Sequence, residues 1–247
     1  MNELLTSSIP LYCERSTGVV GSSSRLLAEP LNLASNLSFV VAAIFVWRAI
    51  GRRIQAPHHG VPRCLKGLLS LIVATGIGSA LWHSFATQWA MALDVAPIAA
   101  FVLLFLGVML RALGASAKSL LGAYALLIGL AALTTFTIPA SFASGSRSYV
   151  APLLALFALT TYLSVVAHPS AKSMRVATAS FVFALVGRSL DQSICSILPM
   201  GTHFVWHLMN GVVLYCATLA AAIAVGLSRF PNRSDTDTSH ATSDTHR

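Results

Sequence analysis

The chain has 247 residues, of which 55% are hydrophobic and only 10% charged, with a formal net charge of +8. Soluble domains carry about 25% charged residues, so this composition excludes an ordinary soluble domain. The apolar residues come in runs of roughly 20, enough to cross about 30 Å of hydrocarbon. We therefore predict an all-α, multi-pass membrane protein, and we attribute the basic excess to membrane topology and not to nucleic-acid binding.

Seven membrane spans in a single bundle account for residues 31–230. They are predicted at residues 31–50, 66–86, 90–111, 119–138, 149–167, 173–192 and 203–227. Residues 1–30 form a polar N-terminal segment without the basic start and apolar core of a secretory signal, so none is expected. Residues 231–247 are rich in Ser, Thr, Asp and His and are predicted to be a disordered tail.

The distribution of Lys and Arg predicts the orientation of these spans, because cytoplasmic loops are enriched in both. All but four of the 16 basic residues lie in or beside the first, third and fifth loops and the C-terminal tail. The four on the other side are Arg15, Arg25, Arg147 and Arg188. This asymmetry predicts a seven-transmembrane bundle with the N-terminus outside, in the periplasm or a lumen, and the tail in the cytoplasm.

Polar side chains stand out at the predicted outer ends of three spans. Ser79 and His83 are four residues apart, so they share one helix face. Asp94 follows a short polar break, and a helical hairpin there would turn it back toward His83. His203 and His207 form another i,i+4 pair at the start of the seventh span. We predict that the first cluster, Ser79, His83 and Asp94, meets the second, His203 and His207, within about two helical turns of the outer surface.

This set of side chains predicts a metal centre. Three neutral imidazoles with an open fourth position form a catalytic zinc site, and bound water then loses a proton near about pH 7. The predicted ligands are His83, His203 and His207. Asp94 would take the proton of that water and pass it to a leaving group. Ser79 would hydrogen-bond a substrate carbonyl or its developing oxyanion.

The same residues also fit other classes of protein. A histidine in a membrane helix is often a packing contact, and an i,i+4 pair could ligate haem or relay protons. The rival functions are therefore a non-enzymatic seven-span receptor or transporter, and a haem-binding membrane protein. Asp94 favours a functional site because carboxylates within membranes are costly, and Ser79 and Asp94 beside three histidines favour hydrolysis. The sequence leaves the oligomeric state open.

Several motifs resemble those of the alkaline ceramidase family, within the superfamily of seven-span hydrolases that includes the adiponectin receptors. The motifs are Tyr12-Cys-Glu-Arg15, Glu29-Pro-Leu-Asn32 with Asn36, Ser79 with His83 and Asp94, and Asp191 with Cys195, His203 and His207. The resemblance covers nearly the whole membrane region. It implies zinc held by the three histidines, catalytic roles for Ser79 and Asp94, and hydrolysis of ceramide, or a related N-acyl lipid, to a long-chain base and a fatty acid. The implied partners are a membrane lipid and water.

The N-terminal segment departs from the family pattern. Eukaryotic members carry a calcium site built on an Asp-Trp-x-Glu-x-Asn pattern and a later Glu. Leu11, Tyr12, Glu14 and Ser16 stand at those positions here, with Glu29 as the later Glu. Calcium takes six to eight oxygen ligands, several of them carboxylates, so no tight calcium site is expected. The alternative role for Glu14 and Glu29 is a cap at a helix N-terminus.

The resemblance also implies a disulfide between Cys13 and Cys195, at positions similar to paired cysteines of the family. Both cysteines lie on the side that the topology places outside, which is oxidising in a bacterial periplasm and in a eukaryotic lumen. The bridge would tie the N-terminal segment to the connection that precedes His203. Cys64 and Cys216 have no obvious partner.

Overall fold

The computed structural model describes residues 11–16, 29–52, 61–139 and 141–226, and these ranges are helical with no strand. The helices are α1 Cys13–Ser16, α2 Pro30–Ser35, α3 Leu37–Gly51, α4 Arg63–Phe85, α5 Gln88–Ala112, α6 Ala117–Thr137, α7 Val150–Val165, α8 Ala171–Leu190 and α9 His203–Ala224. Two 3-10 segments, Phe142–Tyr149 and Asp191–Ile194, precede α7 and follow α8. The predicted disordered tail, residues 231–247, lies outside the described residues.

Six helical stretches of the described chain are long and apolar enough to cross a membrane. They are Pro30–Gly51, Arg63–Phe85, Gln88–Ala112, Ala117–Thr137, Phe142–Val165 and His203–Ala224. Each overlaps one of the predicted spans. The remaining predicted span, residues 173–192, is helical as α8 but less apolar, because Lys172, Arg175 and Arg188 interrupt it.

The outward faces of the bundle are apolar. On α6, Phe136 is 88% exposed and Leu121 70% exposed, and at the end of α7 Val165 is 79% exposed. Contiguous apolar surface of this kind is rare on soluble proteins and is the surface expected to face lipid in a multi-pass membrane protein. The composition and the fold therefore agree on the membrane setting.

Helix α9 is the central helix of the bundle. It packs against α8, α3, α4 and α5. In its apolar stretch 56% is buried inside the bundle, whereas the corresponding value for α6 is 11%. The main apolar core lies along α9, and it includes Phe39, Ile72, Phe101, Leu163 and Ala217. Because α9 begins at His203, this placement puts the polar start of the helix inside the molecule.

Helices α4 and α5 form the hairpin predicted from the polar break between the second and third spans. Helix α4 ends at Phe85, and Ala86 adopts a left-handed conformation with φ of +46°. Helix α5 begins two residues later at Gln88. A left-handed residue after the last helical turn is a common way to end a helix, and here it reverses the chain so that α5 runs back along α4.

Candidate metal centre

The three histidines predicted as ligands lie together at one end of the bundle. His83 comes from the last turn of α4, His203 is the first residue of α9, and His207 follows one turn later. Each side chain is at most 1% exposed. One nitrogen from each ring could reach a single ion, since these atoms lie within 4.8 Å of one another. The structure therefore brings His83 together with the His203/His207 pair, as expected.

The hydrogen bond to Glu29 determines the tautomer of His83. Nδ1 of His83 lies 2.5 Å from Oε2 of Glu29. Burial alone would raise the pKa of Glu29, but hydrogen bonds from His83 and Arg15 outweigh it and hold that pKa below its usual value. The ionised carboxylate can only accept, so Nδ1 of His83 donates, and in the neutral imidazole Nε2 keeps its lone pair.

A second hydrogen bond determines the tautomer of His207. Its Nδ1 lies 2.7 Å from Oγ of Ser35. The Ser35 hydroxyl donates its proton to the carbonyl of Asn32 at 2.8 Å. The oxygen of Ser35 is therefore an acceptor toward His207, whose Nδ1 donates and whose Nε2 is left with a lone pair. Partners of this kind orient metal-binding imidazoles and fix which nitrogen binds.

The two free lone pairs point at one another, which is the strongest sign of a cation site. Nε2 of His83 and Nε2 of His207 are 3.1 Å apart, and in the neutral imidazoles neither nitrogen carries a proton. Nitrogens bound at about 2.0–2.1 Å to one tetrahedral zinc ion lie roughly 3.3 Å apart. Nδ1 of His203 is also buried without a hydrogen-bond partner in the described chain. The three side chains therefore fit a metal ion.

Asp191 and the N-terminal segment hold the start of α9 in place. Oδ1 of Asp191 accepts hydrogen bonds from the backbone of Thr202 at 2.7 Å and of His203 at 2.8 Å. Oδ2 accepts from the backbone of Cys13 at 3.1 Å. A disulfide joins Cys13 to Cys195, the pair that the resemblance implies, with Cα atoms 5.2 Å apart. These bonds anchor the N-terminal segment where α9 begins.

Tyr12 covers the third histidine. Its ring stacks on that of His203, with centroids 3.7 Å apart and planes 19° apart. Burial raises the pKa of Tyr12 to about 12, although the charge of Arg188 acts to lower it. The phenol is therefore neutral at physiological pH. It shields the imidazole of His203 from solvent and adds no charge to the centre.

Ser79 and Asp94 lie beside the histidines. Oγ of Ser79 is 3.4 Å from Nε2 of His207. The half-buried side chain of Asp94 interacts with the hydroxyl of Ser79 and lies close to His83. The hairpin thus turns Asp94 back toward His83, in the way that the polar break predicted.

A glycine and a proline explain how closely α5 approaches α4 at this point. Pro97 has no N–H to bond the carbonyl of Leu93, four residues earlier in α5. That carbonyl meets Gly78 of α4, where a Cβ atom would collide with it and lie 3.1 Å from Cα of Asp94. Only glycine permits this approach. It holds Asp94 against the helix turn that carries Ser79.

The two N-terminal glutamates do not fit a calcium site. Both oxygens of Glu14 accept backbone hydrogen bonds, from Leu31 at 2.6 Å and Asn32 at 2.9 Å. Glu29 is engaged by His83 and by Arg15, whose Nε lies 2.6 Å from its Oε1. A guanidinium bound to one carboxylate, and helix N–H groups bound to the other, use the oxygens that calcium would need.

The cap at the start of α2 comes from Glu14 and not from Glu29. Glu29 occupies the N-cap position, but its side chain accepts no capping hydrogen bond from the helix backbone; it accepts instead from Nδ2 of Asn32 at 3.2 Å. Burial raises the pKa of Glu14 and outweighs the backbone hydrogen bonds that lower it. Of the two glutamates expected to cap a helix, only Glu14 does so, whereas Glu29 accepts a hydrogen bond from His83.

Calcium is expected to leave the stability of the protein unchanged. A site with a Kd of about 10 μM would stabilise the fold by about 2.7 kcal/mol at roughly 1 mM free calcium, which a thermal unfolding scan detects. We expect the same Tm with roughly 1 mM calcium and with a calcium-selective chelator. A chelator that lowers Tm, with recovery on calcium addition, would contradict this assignment of Glu14 and Glu29.

An apolar cavity of about 340 Å³ lies next to the histidines. Its wall includes Phe39, Thr75, Trp206 and Asn210, together with residues of α5 to α9 and of the 3-10 segment before α7. The ring centroid of Phe39 is 6.1 Å from that of His207, so a residue of the cavity wall packs against the centre. An almost wholly apolar wall with a few polar groups is typical of a site for a hydrocarbon chain.

Comparison with protein families agrees with this arrangement. The sequence profile of the family described as Ceramidase matches residues 6–241. The chain belongs to the ceramidase family. No curated protein gives a significant match to it. Membership of the ceramidase family implies a hydrolase that acts on a lipid and uses water, and the three buried histidines could hold a metal ion.

Sequence reasoning missed several residues of this ceramidase-family site. The roles of Ser35 at His207, Arg15 at Glu29 and Tyr12 on His203 all depend on contacts between segments far apart in the chain. Tyr12 and Arg15 lie in the motif that carries the resemblance, but no role followed from it. Ser35 could have been found from the polar face that Asn32, Ser35 and Asn36 share at i, i+3 and i+4 spacing.

Gly78→Val is expected to lower kcat by about 10²-fold, because displacement of a catalytic group by about 1 Å has an effect of that size. The valine side chain would push the backbone at Leu93 and Asp94 away from α4. Lipid hydrolysis by the purified variant is the measurement. Gly122→Val on α6 is the control, since nothing lies within 4 Å of a Cβ atom there. Equal losses in both variants would contradict the role of the contact.

Proposed function

We propose that the protein is a zinc-dependent intramembrane amide hydrolase that cleaves ceramide, or a related N-acyl lipid, to a long-chain base and a fatty acid. The observation that carries the proposal is the 3.1 Å separation of the two Nε2 atoms of His83 and His207 beside an apolar cavity. The first feature calls for a cation, and the second suits a lipid chain. Membership of the ceramidase family supports the same chemistry.

The proposed division of labour follows from the charges and positions of the side chains. Zinc, when bound by His83, His203 and His207, supplies a Lewis acid that makes water acidic enough to attack at neutral pH. Asp94 takes the proton of the attacking water and returns it to the departing nitrogen of the amide. Ser79 donates a hydrogen bond to the carbonyl oxygen as negative charge develops there.

The cavity supports a lipid substrate. An N-acyl chain that lies along Phe39 and the walls of α5 to α7 would bring its amide toward His207, against which Phe39 packs. Burial of a chain contributes about 0.8 kcal/mol per CH₂ group when it leaves water. A substrate already dissolved in the bilayer gains far less, so the cavity acts mainly by aligning the amide with Asp94.

The membrane arrangement is part of the proposal. Helix α8 packs against α7 and α9, and its 20 residues reach about 30 Å, so it serves as the seventh span. Lys172 and Arg175 at its start extend to the cytoplasmic interface. Residues 31–230 then form a seven-span catalytic bundle with residues 1–30 outside, the tail 231–247 in the cytoplasm, and the centre near the periplasmic or lumenal face.

The test is product formation by the purified protein. An N-palmitoyl ceramide should yield equal amounts of long-chain base and palmitate by mass spectrometry, with about one zinc per chain by metal analysis. An analogue with a secondary amine in place of the amide should remain intact. A Soret band, or zinc-loaded protein that converts no N-acyl lipid, would instead favour the haem-binding or the receptor and transporter alternatives.

A further inference from the structure

Arg188, near the end of α8, is a buried cation that contacts no carboxylate of the described residues. The residue is 8% exposed, and no carboxylate of the described chain lies within ion-pair distance of it. Asp94 attracts it only from beyond that distance. Its Nη1 donates to the hydroxyl of Tyr12 at 2.9 Å, but its Nε has no partner among the described residues. Buried charges normally pair with an opposite charge.

Three aromatic rings surround the guanidinium, and two of them line the cavity. Its central carbon is 5.7 Å from the ring centroid of Tyr12, 5.3 Å from that of Tyr149 and 5.4 Å from that of Trp206. Ring faces attract a cation but give Nε–H no conventional acceptor. Tyr149 and Trp206 also line the cavity, while Tyr12 stacks on His203. Arg188 therefore lies between a metal ligand and the space for a lipid chain.

We propose that Arg188 binds the anionic head of the lipid whose chain occupies this cavity. The proposal rests on the proposed function, which supplies a lipid ligand. Carboxylates and phosphates both accept the charge-assisted hydrogen bonds that an arginine offers. The anion comes either from the fatty acid released by amide hydrolysis or from an acidic headgroup on an N-acyl lipid substrate. In both cases it supplies the missing partner of the guanidinium.

Binding of two lipids that differ only in head charge tests the proposal without turnover. Isothermal titration of the purified full chain with hexadecanoate and with hexadecanol compares a carboxylate with a neutral alcohol on the same chain length. We expect the acid to bind at least roughly tenfold more tightly, as a hydrogen bond to a charged group implies. Arg188→Gln should remove most of this preference, and Arg188→Lys should retain part of it.

Arg147→Gln is the matched control. Arg147 donates to the carbonyls of Thr135 and Ile138 and is not part of the cavity wall, so the preference for the acid should remain. A thermal unfolding scan and an intact Cys13–Cys195 disulfide identify folded variants. Equal binding of acid and alcohol by the wild-type protein, or a full preference that survives in folded Arg188→Gln, would overturn the proposal.

A second comparison separates the two sources of the anion. With a phosphate-bearing and a neutral N-palmitoyl substrate, a headgroup source predicts that Arg188→Gln lowers kcat/KM roughly tenfold more for the phosphate-bearing lipid than for the neutral one. A product source predicts no such difference between the two lipids and roughly tenfold weaker inhibition by hexadecanoate. If the protein hydrolyses neither lipid, the proposed function is wrong. The Arg188 proposal is then still decided by the binding of hexadecanoate and hexadecanol, which requires no turnover.

Discussion

The double variant His203→Ala/His207→Ala is expected to lose both its metal and its activity. Two of the three proposed ligands disappear, and the remaining His83 with Glu29 offers too few donors for a tetrahedral site. Zinc content should fall from about one per chain to near zero by elemental analysis, with lipid turnover below detection. Full zinc occupancy in this variant would show that the ion lies elsewhere.

His168→Ala provides the control for that experiment. His168 lies between α7 and α8, where its Nδ1 is 2.7 Å from Oγ of Ser170, and its loss should leave zinc content unchanged. A second variant, Glu29→Gln, is expected to have a smaller effect, because it keeps a hydrogen-bond acceptor for His83 but removes the negative charge. Changes of this kind weaken metal affinity by about 10–100-fold, so zinc should be retained at high and lost at low free zinc.

Asp94→Asn is expected to keep zinc and lose about 10²–10⁴-fold in kcat, the contribution typical of a general base. The amide keeps the size of the side chain but cannot take a proton from water. None of the three proposed ligands changes, so metal analysis should give the wild-type value. Turnover of N-palmitoyl ceramide at saturating substrate is the measurement.

The combination of results is what identifies the role of Asp94. A variant that loses zinc and activity together would make Asp94 a support for the metal site, not the proton carrier. Nearly normal kcat with full zinc would assign the proton transfer to another group. Unchanged thermal unfolding is required in each case, because the contact at Gly78 makes this part of α5 sensitive to packing.

The helices and the separate histidine motifs could be predicted because their signals are local, and the distribution of basic residues predicted that the motifs lie on the same side of the membrane. Apolar runs of span length identify the helices, and polar side chains at i,i+4 spacing stand out in such runs. Helix α8 is a weaker case of an apolar run, because its three basic residues make it less apolar than the six helical stretches that are long and apolar enough to cross a membrane. One of these, Arg188, is buried against aromatic rings and is not at the surface.

The partners of the histidines could not be predicted because they come from distant parts of the chain. Glu29 is 54 positions from His83, and Ser35 is 172 positions from His207. Hydropathy and helical periodicity contain no information about such pairings. The close approach of α4 and α5 also depends on a pair of residues, Gly78 and Pro97, whose separate signals are only a small side chain and a missing N–H.

The origin of the ligands in the chain has a consequence for how the protein is made. The centre combines Glu29 and Ser35 from the first part of the chain, His83 from α4, and both histidines of α9. The helices that precede α9 must therefore be synthesised before the proposed centre can form. Metal loading would then have to follow the synthesis of α9, and a product truncated before α9 would lack two of the three proposed ligands. Metal occupancy would thus report that α9 has been made and has joined the bundle.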